Sequence, residues 1–220
     1  MVRHHIVPAV LVKTKKGLMN RLRRAAPYFS RVQIDIIDGR FAKNRTIGPN
    51  ALKGVRTKLK LEIQLMVKDV DKYVDKFLKL KPKPWMITFP FESCKNTNHV
   101  NELIKRVKKA KIKVGISINP ETPAHKIKPF LKKIDLALVM TIHPGFSGQP
   151  FLPETVPKIR HIRKWDKKID LEVDGGIHVG TACITARAGA NVFVAGGAIY
   201  KAKDIKTGLK QLIRDAKCMM

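Results

Sequence analysis

Short stretches of the chain alternate between hydrophobic and polar positions, and longer segments of helical character separate them. In residues 31–37, Val32, Ile34 and Ile36 point one way, while Gln33, Asp35 and Ile37 point the other. Residues 61–66 set Leu61, Ile63 and Leu65 against Glu62 and Gln64, and residues 169–174 set Ile169, Leu171 and Val173 against Asp170, Glu172 and Asp174. Strands with one apolar face and one carboxylate-bearing face predict a sheet curled around a polar interior. Further strands are expected at 6–12, 85–91, 113–118, 136–141 and 191–195.

Between the strands the spacing predicts helices. One runs up to Ala26, and one from Pro49 to about Lys58, with proline at the first turn, where its missing N–H costs nothing. Others end near Leu80, capped by Asp69, and near Ala110, capped by Asn96 or Thr97; a fifth opens at Thr122-Pro123. The last three cover about 154–165, 180–188 and 204–216. Eight strand–helix units in strict alternation, with short connections and no linker, predict a single domain over 1–220. Its class is α/β, a (β/α)8 TIM barrel. In that architecture the chemistry lies at the C-terminal strand ends, which here carry Asp35, Gln64, Asn119, His143 and Asp174.

Asp35 and Asp174 are the strongest candidates. Two inward carboxylates on well-separated strands can act as acid and base on the two faces of a planar intermediate. The second signal is glycine. Gly145-Phe146-Ser147-Gly148, Gly175-Gly176 and Gly196-Gly197 follow strands six, seven and eight, where backbone N–H groups of such barrels hold phosphate.

The net charge of +28 over 220 residues admits a nucleic-acid partner, but the lysines spread through nearly every helical segment and aromatic residues are only 6%. The favoured reading is a solvated basic surface that also attracts a phosphorylated small substrate. No apolar run reaches transmembrane length and no secretory leader is evident, so a cytoplasmic protein without a membrane partner is expected. Cys94, Cys183 and Cys218, three in number and without CxxC spacing, argue against a disulfide framework and a zinc finger.

On these residues the chain resembles the ribulose-phosphate 3-epimerase family. The matching stretches are 33–49, 61–67, 87–93, 115–123, 138–160, 173–176 and 188–201, and Met140 to Phe151 is the most specific. The resemblance implies a barrel of the ribulose-phosphate-binding type, usually a homo-oligomer, that interconverts ribulose 5-phosphate and xylulose 5-phosphate in the pentose phosphate pathway. It implies that Asp35 and Asp174 are the two proton-transfer groups. Gln33, Gln64, Met66, Met140, Gly145, Phe146, Ser147, Gly148, Gly175, Gly176, Gly196 and Gly197 would form the substrate set. It also implies a divalent metal, Zn2+, Fe2+, Mn2+ or Mg2+, on Asp35, Asp174 and two histidines. Gln33 and Gln64 stand in the histidine positions, and glutamine is a weak, neutral ligand for zinc or iron.

Further departures are Val12 for a serine at the end of strand one, Ile37 for a methionine, Pro90 for a histidine and Gly197 for a serine. The expectation is therefore a ketose-phosphate epimerase with weak metal dependence or none, or one holding a harder cation on the aspartates and amide oxygens. The alternatives are a related isomerase or lyase on another phosphosugar, and a non-catalytic phosphosugar- or RNA-binding barrel.

Overall fold

The computed structural model describes residues 4–218. Eight parallel strands close into a barrel in sequence order, with β8 returning to pair with β1. They are β1 His5–Val10, β2 Arg31–Ile37, β3 Lys60–Met66, β4 Met86–Pro90, β5 Lys113–Ile118, β6 Leu136–Met140, β7 Asp170–Asp174 and β8 Val192–Ala195. The helices that return the chain are α1 Lys15–Ala25, α2 Pro49–Leu52, α3 Val70–Leu78, α4 Thr97–Lys109, α5 Val156–Trp165, α6 Thr181–Arg187, α7 Gly197–Tyr200 and α8 Ile205–Ala216.

The outward faces of the strands form the main core. Val32, Ile34, Ile36, Ile63, Leu65, Leu171 and Val173 are buried beneath helix residues such as Leu18, Leu22, Val74, Phe77, Leu103 and Ile159. Inside the barrel the residues divide by strand. Met86, Leu136, Leu138 and Met140 form one apolar cluster, and Val7, Val192 and Val194 another. The polar faces of β2, β3 and β7 run between them as a column of Gln33, Asp35, Glu62, Gln64, Glu172 and Asp174. The curled sheet with a polar interior is thus present.

Several expected elements differ. The helix from Pro49 stops at Leu52 instead of continuing to about Lys58. The segment after Thr122 is a 3-10 helix, Ala124–Lys133, in place of a capped α-helix. Pro129 inside it lacks the N–H that an α-helical ladder needs, and the Thr122 hydroxyl is already bonded to Glu92 Oε1. The cysteine expectation is overturned too: Cys183 in α6 and Cys218 just beyond α8 form a disulfide, their Cα atoms 5.6 Å apart. Packing of α6 against α8 brings together two cysteines 35 residues apart, which sequence spacing does not reveal. Cys94 is free, and burial pushes its thiol up to about 12.

Candidate active site

Register brings the site together. Asp35 on β2 pairs with Gln64 on β3, and Asp174 on β7 pairs with Met140 on β6 and Val194 on β8. The inward-facing side chains converge on one atom, the Gln33 side-chain nitrogen. Gln33 Nε2 lies within hydrogen-bond distance of three acceptors around its two N–H hydrogens, Asp35 Oδ1 at 2.9 Å, Asp174 Oδ2 at 2.9 Å and Gln64 Oε1 at 2.7 Å. Gln64 Nε2 in turn lies 3.0 Å from Met140 Sδ. With the Gln64 amide turned end for end, its nitrogen reaches Asp174 at 2.8 Å and Asp35 at 3.1 Å but meets the Gln33 nitrogen at 2.7 Å. Two carboxylates within reach require an N–H2 group of an amide, so in both arrangements donors face the acid pair.

Both carboxyls titrate high. Asp35 lies well above the usual carboxylate range, because burial disfavours its charge and the Asp174 charge adds to this; the Gln33 hydrogen bond only partly offsets them. Asp174 is raised to about 6, again chiefly by burial, with the Gln33 and Gln64 hydrogen bonds pulling down. Two carboxyls this close do not both ionise readily, an arrangement that can share one proton and so offer one acid and one base.

Above the pair opens a cavity of about 430 Å³. Met66, Met140, Gly145, Phe146, Ser147, Gly148, Gly175, Gly176, Gly196 and Gly197 all line it, while Gln33 and Gln64 are buried against the two aspartates. Gly175 and Gly176 are irreplaceable on two counts. Their φ angles are 117° and 63°. A Cβ would sit 2.3 Å from Ile142 Cγ1 at the first and 2.9 Å from the Phe151 backbone at the second. The loop after β6 is held by the Asn44 side chain, which donates to the Gly145 carbonyl at 2.7 Å, and by Gln149, which donates to the carbonyls of His143 and Phe146. Thr141 Oγ1 bonds the Gly175 carbonyl and Thr181 Oγ1 that of Gly176.

Other expected positions lie elsewhere. His143 is exposed and pairs with Glu121 at 2.8 Å, so it does not face the cavity. Asn119 does not line the cavity; its backbone N–H donates to Glu92 Oε1 and its carbonyl accepts from Thr122 N–H and Lys158 Nζ. The wall at the end of β1 is Ala9 and, just past the strand, Leu11; Val12 packs against the outer core instead. Neither Ile37 nor Pro90 lines the cavity. Asn44, Arg21 and Tyr200 were not singled out by sequence reasoning, since nothing in helix or loop periodicity marks which side chain turns to the barrel mouth.

The donor set does not fit the divalent ion that the resemblance implies. Among the described residues no group of three or more His, Cys, Asp and Glu side chains is arranged to hold a metal. The space between Asp35 and Asp174 is faced by an amide nitrogen, a donor rather than a ligand. Asp35 and Asp174, with Gln33 and Gln64 beside them, therefore do not make the ligand set that the family's metal calls for, and the amide-oxygen arrangement for a harder cation meets the same obstacle.

A model of the ribulose-phosphate 3 epimerase family matches residues 5–200. The chain belongs to the ribulose-phosphate 3-epimerase family. It is 36% identical over 188 residues to a ribulose-phosphate 3-epimerase of Bacillus subtilis (strain 168), covering 82% of this chain and 84% of that protein. To the ribulose-phosphate 3-epimerase of Schizosaccharomyces pombe (strain 972 / ATCC 24843) it is 34% identical over 226 residues, 99% of this chain and 97% of the relative. Among solved structures, a 3-hexulose-6-phosphate synthase superposes with a TM-score of 0.70 at 17% identity, over 96% of this chain and 99% of that one. That likeness establishes the TIM-barrel fold and nothing finer. For this family member no helix among the described residues is long and apolar enough to cross a membrane.

Proposed function

We propose that this protein epimerises a phosphorylated ketose, ribulose 5-phosphate to xylulose 5-phosphate, at C3 by proton transfer between Asp35 and Asp174 without a resident metal. The observation that carries the reading is that both carboxyls touch the same Gln33 nitrogen at the floor of a cavity rimmed by glycine loops. The phosphate binds to the backbone N–H groups of the loops around Gly145–Gly148, Gly175–Gly176 and Gly196–Gly197. The sugar then reaches down so that C3 lies between the two carboxyls. The ionised member takes the C3 proton from one face, and the protonated member returns one to the other face. The pair ends with the same single proton, now on the opposite partner. While the enediolate exists, the amide N–H groups of Gln33 and Gln64 can donate to its oxygens, each such donor contributing roughly 3–4 kcal/mol.

Proton NMR of ribulose 5-phosphate in D2O with chelator present tests this. The C3 proton signal should disappear, and Asp35→Asn and Asp174→Asn should each slow that loss by at least about a hundredfold while inorganic phosphate still binds. Exchange that requires an added cation would overturn the metal-free mechanism. A fully active variant at either aspartate would overturn the two-base assignment.

A further inference from the structure

Two polar groups on the cavity wall have no role in the reaction described above. Tyr200, the last residue of α7, is 9% exposed, and its hydroxyl has no hydrogen-bond partner among the described residues. Arg21 of α1 lays its guanidinium over the Tyr200 ring, 3.9 Å from the centroid, and its Nη1 is likewise buried and without a partner. No carboxylate pairs with Arg21 among the described residues. Both side chains line the same cavity as Asp35, Gly196 and Gly197.

A buried donor left unmade is costly, and folded proteins keep few of them. Here two lie side by side, facing a cavity that takes a ligand in the reading above. Stacking on Tyr200 fixes the plane of the guanidinium while leaving its edge free, which is how arginine is prepared for a directional contact. The Tyr200 hydroxyl lies close enough to Asp35 to feel its charge. Burial, with Asp35, pushes that hydroxyl up to about 12, so it stays a neutral donor at physiological pH. Tyr200 follows the Gly196-Gly197 turn by three residues. A molecule that runs from that turn to Asp35 therefore passes along this wall.

We propose that Arg21 and Tyr200 are sugar ligands, donating hydrogen bonds from Nη1 and Oη to the substrate oxygens beside Asp35. This rests on the epimerase reading and extends it. The Arg21 cation supplies the fixed positive charge that a developing enediolate needs in a site whose donor set does not suit a divalent ion. The resemblance does not point to either residue; each is identified by its unmade hydrogen bond.

The test compares two ligands in wild type, Arg21→Met, Arg21→Lys and Tyr200→Phe. Ribulose 5-phosphate and inorganic phosphate are each titrated calorimetrically, and C3 exchange is followed in parallel. Arg21→Met should weaken the sugar phosphate by about tenfold and Tyr200→Phe by at least about threefold, with phosphate changed less than twofold. Arg21→Lys should recover part of the loss. Equal weakening of both ligands would mean that the pair only shapes the cavity, and no change in either would remove it from the site; each overturns the proposal. So would a wild type that binds ribulose 5-phosphate no better than phosphate. If Arg21→Met melts early, Tyr200→Phe, which deletes one oxygen, decides. A wild type that binds the sugar phosphate selectively yet shows no exchange sinks the epimerase reading, while the affinity ratios still judge the ligand assignment.

Discussion

Gln33 Nε2 lies where the resemblance implies a metal centre, within 2.9 Å of both carboxylates. On the metal-free reading proposed above, glutamine in place of histidine puts a neutral donor where a cation would stand and leaves the acid pair in place. A second substitution near the phosphate loops is a gap rather than a replacement. At Gly197 a Cβ would meet nothing nearer than Lys201 Cδ at 3.9 Å, and the position is not among the positive-φ glycines. Gly197→Ser should therefore fold normally and add a hydroxyl donor to the cradle, tightening inorganic phosphate about three- to tenfold by calorimetry. An unchanged affinity would mean that phosphate does not bind at that turn. Asp35, Asp174, Gln33 and Gln64 were legible in the sequence because strand side chains alternate strictly, so inward and outward follow from counting. Arg21, Tyr200 and Asn44 were not. Arg21 and Tyr200 reach the cavity from helices and Asn44 braces the Gly145 loop, and their direction depends on how those segments pack.

At the scale of elements the same contrast holds. Every strand was foreseen within a few residues, because each carries its own apolar face to the helices. The segment after Pro49 failed to stay helical beyond Leu52, and the one after Pro123 settled as a 3-10 helix around Pro129. Neither outcome is written in helical periodicity. The junction of α6 and α8 was hidden for a different reason: it is made by tertiary contact. Asp215 Oδ2 accepts from the backbone N–H groups of Gly180 and Cys183, holding the start of α6, and the Cys183–Cys218 bridge closes the same junction. A cross-link spanning 35 residues restricts the unfolded chain enough to be worth about 2–4 kcal/mol. Urea unfolding with and without dithiothreitol should show that loss as a lower midpoint, and Cys183→Ser should unfold at the reduced midpoint under both conditions. Identical midpoints for the wild type would mean that the bridge contributes no stability.

The barrel interior gathers carboxylates, among them Asp35, Glu62 and Glu172, although others such as Asp69, Asp75 and Asp204 lie exposed. Within the polar column Arg31 contacts Glu62 at 2.9 Å, yet both Glu62 oxygens and Glu172 Oε2 lack an aligned hydrogen bond. Burial therefore prevails over the arginine, raising Glu62 to about 7 and Glu172 well above its ordinary value. At Glu62 the folded chain then holds more proton than the unfolded one between the ordinary glutamate value of 4.5 and about 7. Stability contributed by Glu62 is fully present below 4.5 and is lost as pH rises through about 7. The surface acts in the opposite sense, since its net charge of +28 grows and repels itself more strongly as pH falls. A direct pH profile of the wild type would mix the two. The difference between Glu62→Gln and wild type removes the surface contribution, which is common to both chains. That difference should move in favour of the variant by about 2–3 kcal/mol between pH 5 and pH 8, measured by chemical denaturation. A difference that stays flat across that range would show that Glu62 remains ionised beside Arg31 and that the barrel interior holds its charges without protons.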